Sequence, residues 1–240
     1  MEYKKSQTYD KQFLLDNMMG PNAIKILEEL TELPGMLELK PDMRVLDLGC
    51  GRGLTSIFLA KEFGVQVFAT DLWISASDNF ARFKEAGLEH RIIPLHADAT
   101  ELPYAEEYFD AIISIDAYHY FGREEAFVDE KMAPLLKRSG KLAIAVPGLK
   151  KEIHNDIPHE MLLSWDAKAI DTLHSPEWWR ELLSKSKRME LQAVGELECY
   201  LECWNDWLEC SNEYAILDRK AMEGGAGKHM DLVFMIAAKK

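Results

Sequence analysis

The sequence has few cysteines, no long apolar run and a shortage of positive charge. Its four cysteines are Cys50 and a late group of Cys199, Cys203 and Cys210, none in a C-x-x-C pair. That gives no support to a disulfide framework or a paired-cysteine zinc or redox motif, and reduced thiols are expected. No apolar stretch approaches the ~18 residues a membrane span needs. The start, Met1 to Gln7, lacks the apolar centre of a secretory signal, so a cytoplasmic setting is expected. Lys and Arg number 28 against 41 Asp and Glu, a net charge of −13. Nucleic-acid affinity comes from basic surface, so no nucleic-acid partner is expected. Lys137-Arg138 and Lys150-Lys151 read as loop charges, and a small neutral or cationic ligand is favoured.

What is present is 48% hydrophobic and 29% charged residues, a composition and length that suit one α/β domain with a sizeable core. The informative stretch runs from Arg44 to Thr55. An apolar run with β-branched Val45 ends in Gly49, Gly51 and Gly53, followed by helical spacing from Leu54 to Phe63. That is strand, tight turn, helix. Glycines there permit positive φ and let a ligand lie against bare backbone, while the helix start offers unpaired N–H groups. The dinucleotide fingerprint G-x-G-x-x-G is not met, because Leu54 stands where its third glycine belongs, and Asp47 would repel a pyrophosphate.

Asp47-Leu48-Gly49-Cys50-Gly51-Arg52-Gly53 resembles the first motif of the class I S-adenosylmethionine-dependent methyltransferases, acid-x-G-x-G-x-G. Later stretches agree with it. Val65 to Thr70 reads as a second strand closed by Asp71, about 20 residues past the glycine loop, where an acid can accept ribose hydroxyls. Arg91 to Ala97 reads as a third strand leading to Asp98-Ala99, and Ala111 to Ile115 as a fourth delivering Asp116-Ala117-Tyr118-His119-Tyr120. Lys141 to Gly148 is a fifth, after a helix expected over 124–137. The resemblance implies a cofactor site made of Asp47, Gly49, Cys50, Gly51, Gly53, Asp71, Leu72, Asp98, Ala99 and Asp116. Asp47 would serve the ammonium or the adjacent network, Asp71 the ribose and Asp98 the adenine. Trp73 is placed to cover the adenine or to pack beneath the next helix. His119 is the expected base, as a group titrating near neutrality, with Tyr120 beside it as an orienting or lining residue.

The implied fold is α/β: a doubly wound, seven-stranded, mostly parallel sheet of Rossmann-like methyltransferase type, with an antiparallel last strand (231–238) at the sheet edge and helical cap insertions. One domain over 1–240 is expected, with a mobile arm and helix at 1–40, the cofactor core at 41–148 and caps at 149–174 and 199–223. Tyr9, Phe13, Met18, Met19 and Asn22 are candidate lid residues. No metal is expected: His154 and His159 lack a third ligand nearby in sequence. Cys199, Cys203 and Cys210 invite comparison with arsenite methyltransferases, but on a helix Cys203 and Cys210 lie roughly 10 Å apart, too far to share an ion. The expected activity is transfer of a methyl group to a small-molecule acceptor (EC 2.1.1.-), with S-adenosyl-L-methionine as cofactor. A homodimer is left open. The rivals are a nicotinamide-dependent oxidoreductase and a non-catalytic cofactor-binding module acting through a protein partner.

Overall fold

The computed structural model describes residues 2–240. The run Arg44–Leu48 is apolar on both faces apart from Arg44 at its start and Asp47, so it belongs at the centre of a sheet covered on both sides. This strand, β1, pairs in parallel with β2 (Gln66–Asp71) and β4 (Phe109–Ile115). The sheet is completed by β3 (Ile92–His96), β5 (Leu136–Leu149), β6 (Met189–Glu196) and β7 (Met230–Lys239). Among the described residues it has seven strands in the order β3-β2-β1-β4-β5-β7-β6. Because β7 is antiparallel to both β5 and β6, β6 runs the same way as β1 to β5. The order reverses between β1 and β4, and the crevice at their carboxyl ends is where such sheets bind ligands.

Alternation along β1 sends Val45 into one apolar cluster and Leu46 and Leu48 into the other. The first cluster takes up the helices α1 (Lys11–Asn17), α2 (Ala23–Glu32) and α3 (Leu54–Phe63). It also buries Phe83 of α4 (Ala76–Glu85), which Ser75 caps by accepting from Asp78 N–H. After β4 come α5 (Tyr118–Phe121) and, beyond β5, α6 (Ala167–Ile170). The second cluster is closed by Trp179 and Leu183 of α7 (Pro176–Ser184). The cap helices α8 (Tyr200–Glu209) and α9 (Glu213–Glu223) fill the stretch between β6 and β7. No helix among the described residues is long and apolar enough to cross a membrane.

The N-terminal arm, expected to be mobile, is folded. Buried Glu28 accepts the Lys5 and Ser6 N–H groups, and buried Glu29 accepts the Tyr3 hydroxyl and the N–H groups of Glu198 and Cys199. Glu29 thus joins the arm to a segment 170 residues further along the chain than itself, and each buried carboxylate is met by hydrogen bonds.

The helix expected over 124–137 is replaced by a π-helical turn, Val128–Met132. Pro134 cannot continue a helix, and β5 starts early, at Leu136 opposite Phe109, before a bulge at Lys137–Gly140 restores the register at Lys141. The last strand lies one place in from the edge. Leu232 to Ala238 is apolar on both faces, so it takes neighbours on both sides and leaves the more polar β6 outermost. Cys199, Cys203 and Cys210 are buried free thiols.

Candidate active site

Three acids end successive strands of the sheet, and the structure gives each a different surrounding. Asp47, within β1, is fully buried beneath the glycine loop. Its Oδ2 accepts the Thr55 and Ser56 hydroxyls, both at 2.6 Å, and its Oδ1 has no partner among the described residues. Burial raises its pKa to about 6, against the lowering effect of the two hydroxyls. Asp71, ending β2, accepts Gly51 N–H at 2.8 Å on Oδ2, and Trp73 and Ile74 N–H at 2.7 and 2.9 Å on Oδ1. Asp98 is exposed, and its Oδ1 binds Thr100 N–H and hydroxyl, which holds the carboxyl below the usual range.

Gly49, Gly51 and Gly53 all have positive φ, at 75°, 53° and 81°. A Cβ at Gly49 would stand 2.2 Å from the Ala117 Cβ, and one at Gly53 would stand 2.4 Å from the Phe83 ring. At Gly49 and Gly51 bare backbone therefore faces a cavity of about 440 Å³, within the usual range for a small-molecule site. Its wall includes Gly49, Cys50, Gly51, Asp71, Leu72, Asp98, Ala99 and Asp116. Asp47 and Gly53 stand off it: Asp47 anchors the loop from behind, and Gly53 lets the chain turn into α3 against Phe83. Cys50 is buried, and burial pushes its thiol well up, so it lines the cavity as an inert side chain.

A second cavity of about 1040 Å³ opens beside the first, sharing Met18, Met19, Gly20, Arg52, Trp73, Asp116 and Tyr120 with it. The caps add Trp165 and Thr172 from 149–174, and Trp204, Trp207, Tyr214 and Asp218 from α8 and α9. Asp218 is fixed by two indoles, accepting Trp165 Nε1–H at 2.8 Å and Trp207 Nε1–H at 2.9 Å. Asp116 sits where the cavities meet, with φ 56° and its carboxyl against Gly20, where an added Cβ would lie 1.8 Å from Oδ2. Burial and the neighbouring Asp218 raise its pKa well above the usual carboxyl value.

His119 reaches the second cavity but not the first. Burial lowers its pKa to about 3, so the ring is neutral at physiological pH and a weak proton acceptor, not the near-neutral group its sequence position suggested. Tyr120 borders both cavities and is half exposed. Of the lid candidates, Met18 and Met19 line the cavities. Tyr9 and Phe13 pack into the core, and Asn22 caps α2 and donates to Asp206.

A methyltransferase domain model matches residues 45–140, the span that carries β1 to β4 and most of the wall of the first cavity. That span is a methyltransferase domain, similar to those of the class I S-adenosylmethionine-dependent methyltransferases. A glycine/sarcosine/dimethylglycine N-methyltransferase of Actinopolyspora halophila is 27% identical over 64% of this chain and 26% of its own. The 27-O-demethylrifamycin SV methyltransferase of Amycolatopsis mediterranei is 33% identical over 55% of this chain and 53% of its own. The chain thus spans about half or less of these curated relatives. In fold it is similar to Haemonchus contortus phosphoethanolamine N-methyltransferase 2, with TM-score 0.72 and 18% identity over 99% of this chain and 59% of that one. It is also similar to the [4+2]-cyclase SpnF, with TM-score 0.70 and 16% identity over 99% of this chain and 95% of that one.

The family's cofactor fits this site on structural grounds. Gly49 and Gly51 bring bare backbone to the cavity wall, Asp71 Oδ2 keeps a free lone pair beside the loop, and Leu72, Trp73 and Ala99 offer apolar cover.

Asp218 and Gly20 were missed by sequence reasoning, whereas Trp165 and Trp207 lie in the aromatic caps expected to cover the acceptor. The aromatic richness of 199–223 was visible, but nothing local marks Asp218 among the other acids of α9.

The Asp47 shift has a measurable consequence for stability. The unfolded carboxyl loses its proton near 3.8 and the folded one near 6, so between those values the folded state holds more protons. Stability contributed by this group therefore falls as pH rises from about 4 to about 6, and is level above. The melting temperature of Asp47→Asn is expected to be flatter than wild type across that window; an equally steep profile would remove Asp47 as the source.

Proposed function

We propose that this chain, as a single domain over 1–240, transfers the methyl group of S-adenosylmethionine to a small acceptor held in the 1040 Å³ cavity, and that the acceptor is an amine. The observation that carries this is the shared wall at Asp116, Tyr120 and Gly20, which joins a glycine-lined cofactor crevice to an aromatic, acidic chamber. Bound cofactor supplies an electrophilic methyl on a sulfonium. The chain supplies alignment and a proton acceptor. The lid residues Met18 and Met19, with Trp73 and Tyr120, shield the junction from water.

The chamber wall carries Asp116, Asp166, Glu213 and Asp218 against a single Lys or Arg among the described residues, Arg52, which is engaged with the Asp16 carbonyl at 2.6 Å. Acid at that density beside Trp165, Trp204 and Trp207 favours a cation, through charge and through the faces of the rings. In the transfer, Asp116, whose raised pKa makes it the stronger base, would take the proton of the acceptor ammonium, freeing a lone pair that would take the methyl as its bond to sulfur breaks and S-adenosylhomocysteine leaves. The buried free cysteines support a cytoplasmic setting. Exposed Leu201 and Ile216 offer surface for a homodimer, which sedimentation would reveal.

Turnover is tested by following S-adenosylhomocysteine formation with amines, thiols, phenols and carboxylates. A trimethylammonium compound is expected to compete at least tenfold more tightly than its neutral tert-butyl isostere, about the 1–2 kcal/mol of a desolvated cation over aromatic rings. Equal competition would remove the charge preference. Tight cofactor binding with no turnover on any class would favour the non-catalytic module.

A further inference from the structure

Away from both reaction cavities, Glu152, His154 and His174 bring one ligating atom each to within 4.8 Å of one another. Glu152 Oε2 is the common point, 2.9 Å from His154 Nδ1 and 3.1 Å from His174 Nδ1. We propose that these three side chains form a binding site for a divalent transition metal of the zinc class. The ion pins the cap segment 166–175 to the exit of β5. Two imidazoles and a carboxylate with one side open match the donor set of a four-coordinate zinc whose last position is water.

Two of the three ligands are held from behind by hydrogen bonds, as metal ligands are, and the third, His174, is held by stacking, its Nε2 having no partner among the described residues. His154 Nε2 lies 3.3 Å from the Ile170 carbonyl, the acceptor it would donate to with Nδ1 on a metal. Glu152 Oε1 is held by Ser175 N–H at 2.7 Å, leaving Oε2 as the free donor. The buried His174 ring lies flat on Trp178, with centroids 3.6 Å apart and planes 6° off parallel. Around a zinc ion with bonds near 2.1 Å, neighbouring ligand atoms stand roughly 3.4 Å apart, which these residues reach by opening a few tenths of an ångström.

The position gives the ion a task. Leu149 N–H donates to the His174 carbonyl, and Leu173 and Thr172, the residues just before His174, line the acceptor chamber. A metal here would tie that stretch of chamber wall to the sheet. Sequence spacing paired His154 with His159, but His174 is the histidine the fold brings to it.

The test is titration of the metal-stripped full chain with zinc, followed by calorimetry, elemental analysis and melting temperature. One zinc per chain is expected with a dissociation constant of 1 µM or tighter and a rise in melting temperature. In parallel, cobalt(II) should give the intense visible absorption of a tetrahedral ion. Glu152→Gln, His154→Ala and His174→Ala should each weaken binding at least 30-fold. His229→Ala, which removes a separate imidazole paired with Glu160, should bind as wild type does. Wild-type affinity weaker than 100 µM, or binding unchanged in both His154→Ala and His174→Ala, would overturn the site. The wild-type cobalt spectrum decides it even if a ligand variant fails to fold. None of these readouts depends on methyl transfer.

Discussion

Asp71→Ala is expected to weaken cofactor affinity at least a hundredfold and to lower the melting temperature by about 5–12 °C. Asp71 is placed to accept hydroxyls of a bound nucleoside, and a hydrogen bond to a charged group contributes about 1.5–3 kcal/mol, so losing a pair exceeds two factors of ten. The second effect was not foreseen in the sequence, from which Asp71→Ala looks like a change that leaves the fold intact. In the structure this carboxylate also holds Gly51, Trp73 and Ile74 N–H. Removing it strands three donors around the loop, a loss of about 3 kcal/mol, which for a chain of this size is the stated shift in melting temperature. Asp71→Asn separates the two roles, since its carbonyl oxygen keeps part of the backbone network. It should recover about half the melting temperature while affinity stays at least tenfold down. Calorimetry with S-adenosylhomocysteine, run well below each variant's melting point, reads both; wild-type affinity in Asp71→Asn would take Asp71 out of the cofactor site.

The second large effect is expected at Asp116. Asn accepts left-handed backbone almost as readily as Asp, so Asp116→Asn keeps the φ of 56° and removes only the ionisable oxygen. Loss of a positioned base typically costs about 10²–10⁴ in rate. We expect kcat on an amine acceptor to fall by about that factor, with cofactor affinity within threefold of wild type. His119→Ala should lose less than tenfold, because a ring whose pKa is lowered to about 3 takes up little of the proton at pH 7. The comparison is sharp. If His119→Ala is the crippled variant and Asp116→Asn is not, the proton goes to the histidine after all and the burial argument fails. The rate profile adds a further check: activity limited by Asp116 should rise with pH through a value well above an ordinary carboxyl, and Asp116→Asn should lose that limb.

Legibility in the sequence followed the range of the interaction. The strand–turn–helix at 44–63, the acids after β2, β3 and β4, and the Ser175-Pro176 start of α7 are set by neighbours in the chain, and they stand where the pattern puts them. The failures have physical causes too. The order of residues 2–20 depends on Glu28 and Glu29, which look like surface acids of an amphipathic helix until the arm covers them. The π-helical turn at 128–132 reflects the early pairing of Leu136 with Phe109, a cross-strand event that the helical spacing of 124–137 does not register.

By itself, then, the sequence determined that a parallel α/β sheet would present a glycine loop and three acids along one edge. Positive φ, strand alternation and helix caps are properties of a few consecutive residues. Only the tertiary structure decided what each acid does. Asp47 went beneath the loop, Asp71 into a web of backbone N–H groups and Asp98 to an exposed position against Thr100, while a fourth, Asp116, came to the junction of two cavities. It also brought Asp218 to Trp165, and His174 to Glu152 and His154, across 53 and about 20 residues of chain. Such meetings depend on where strands and caps cross in space, and no local pattern of residues encodes a crossing.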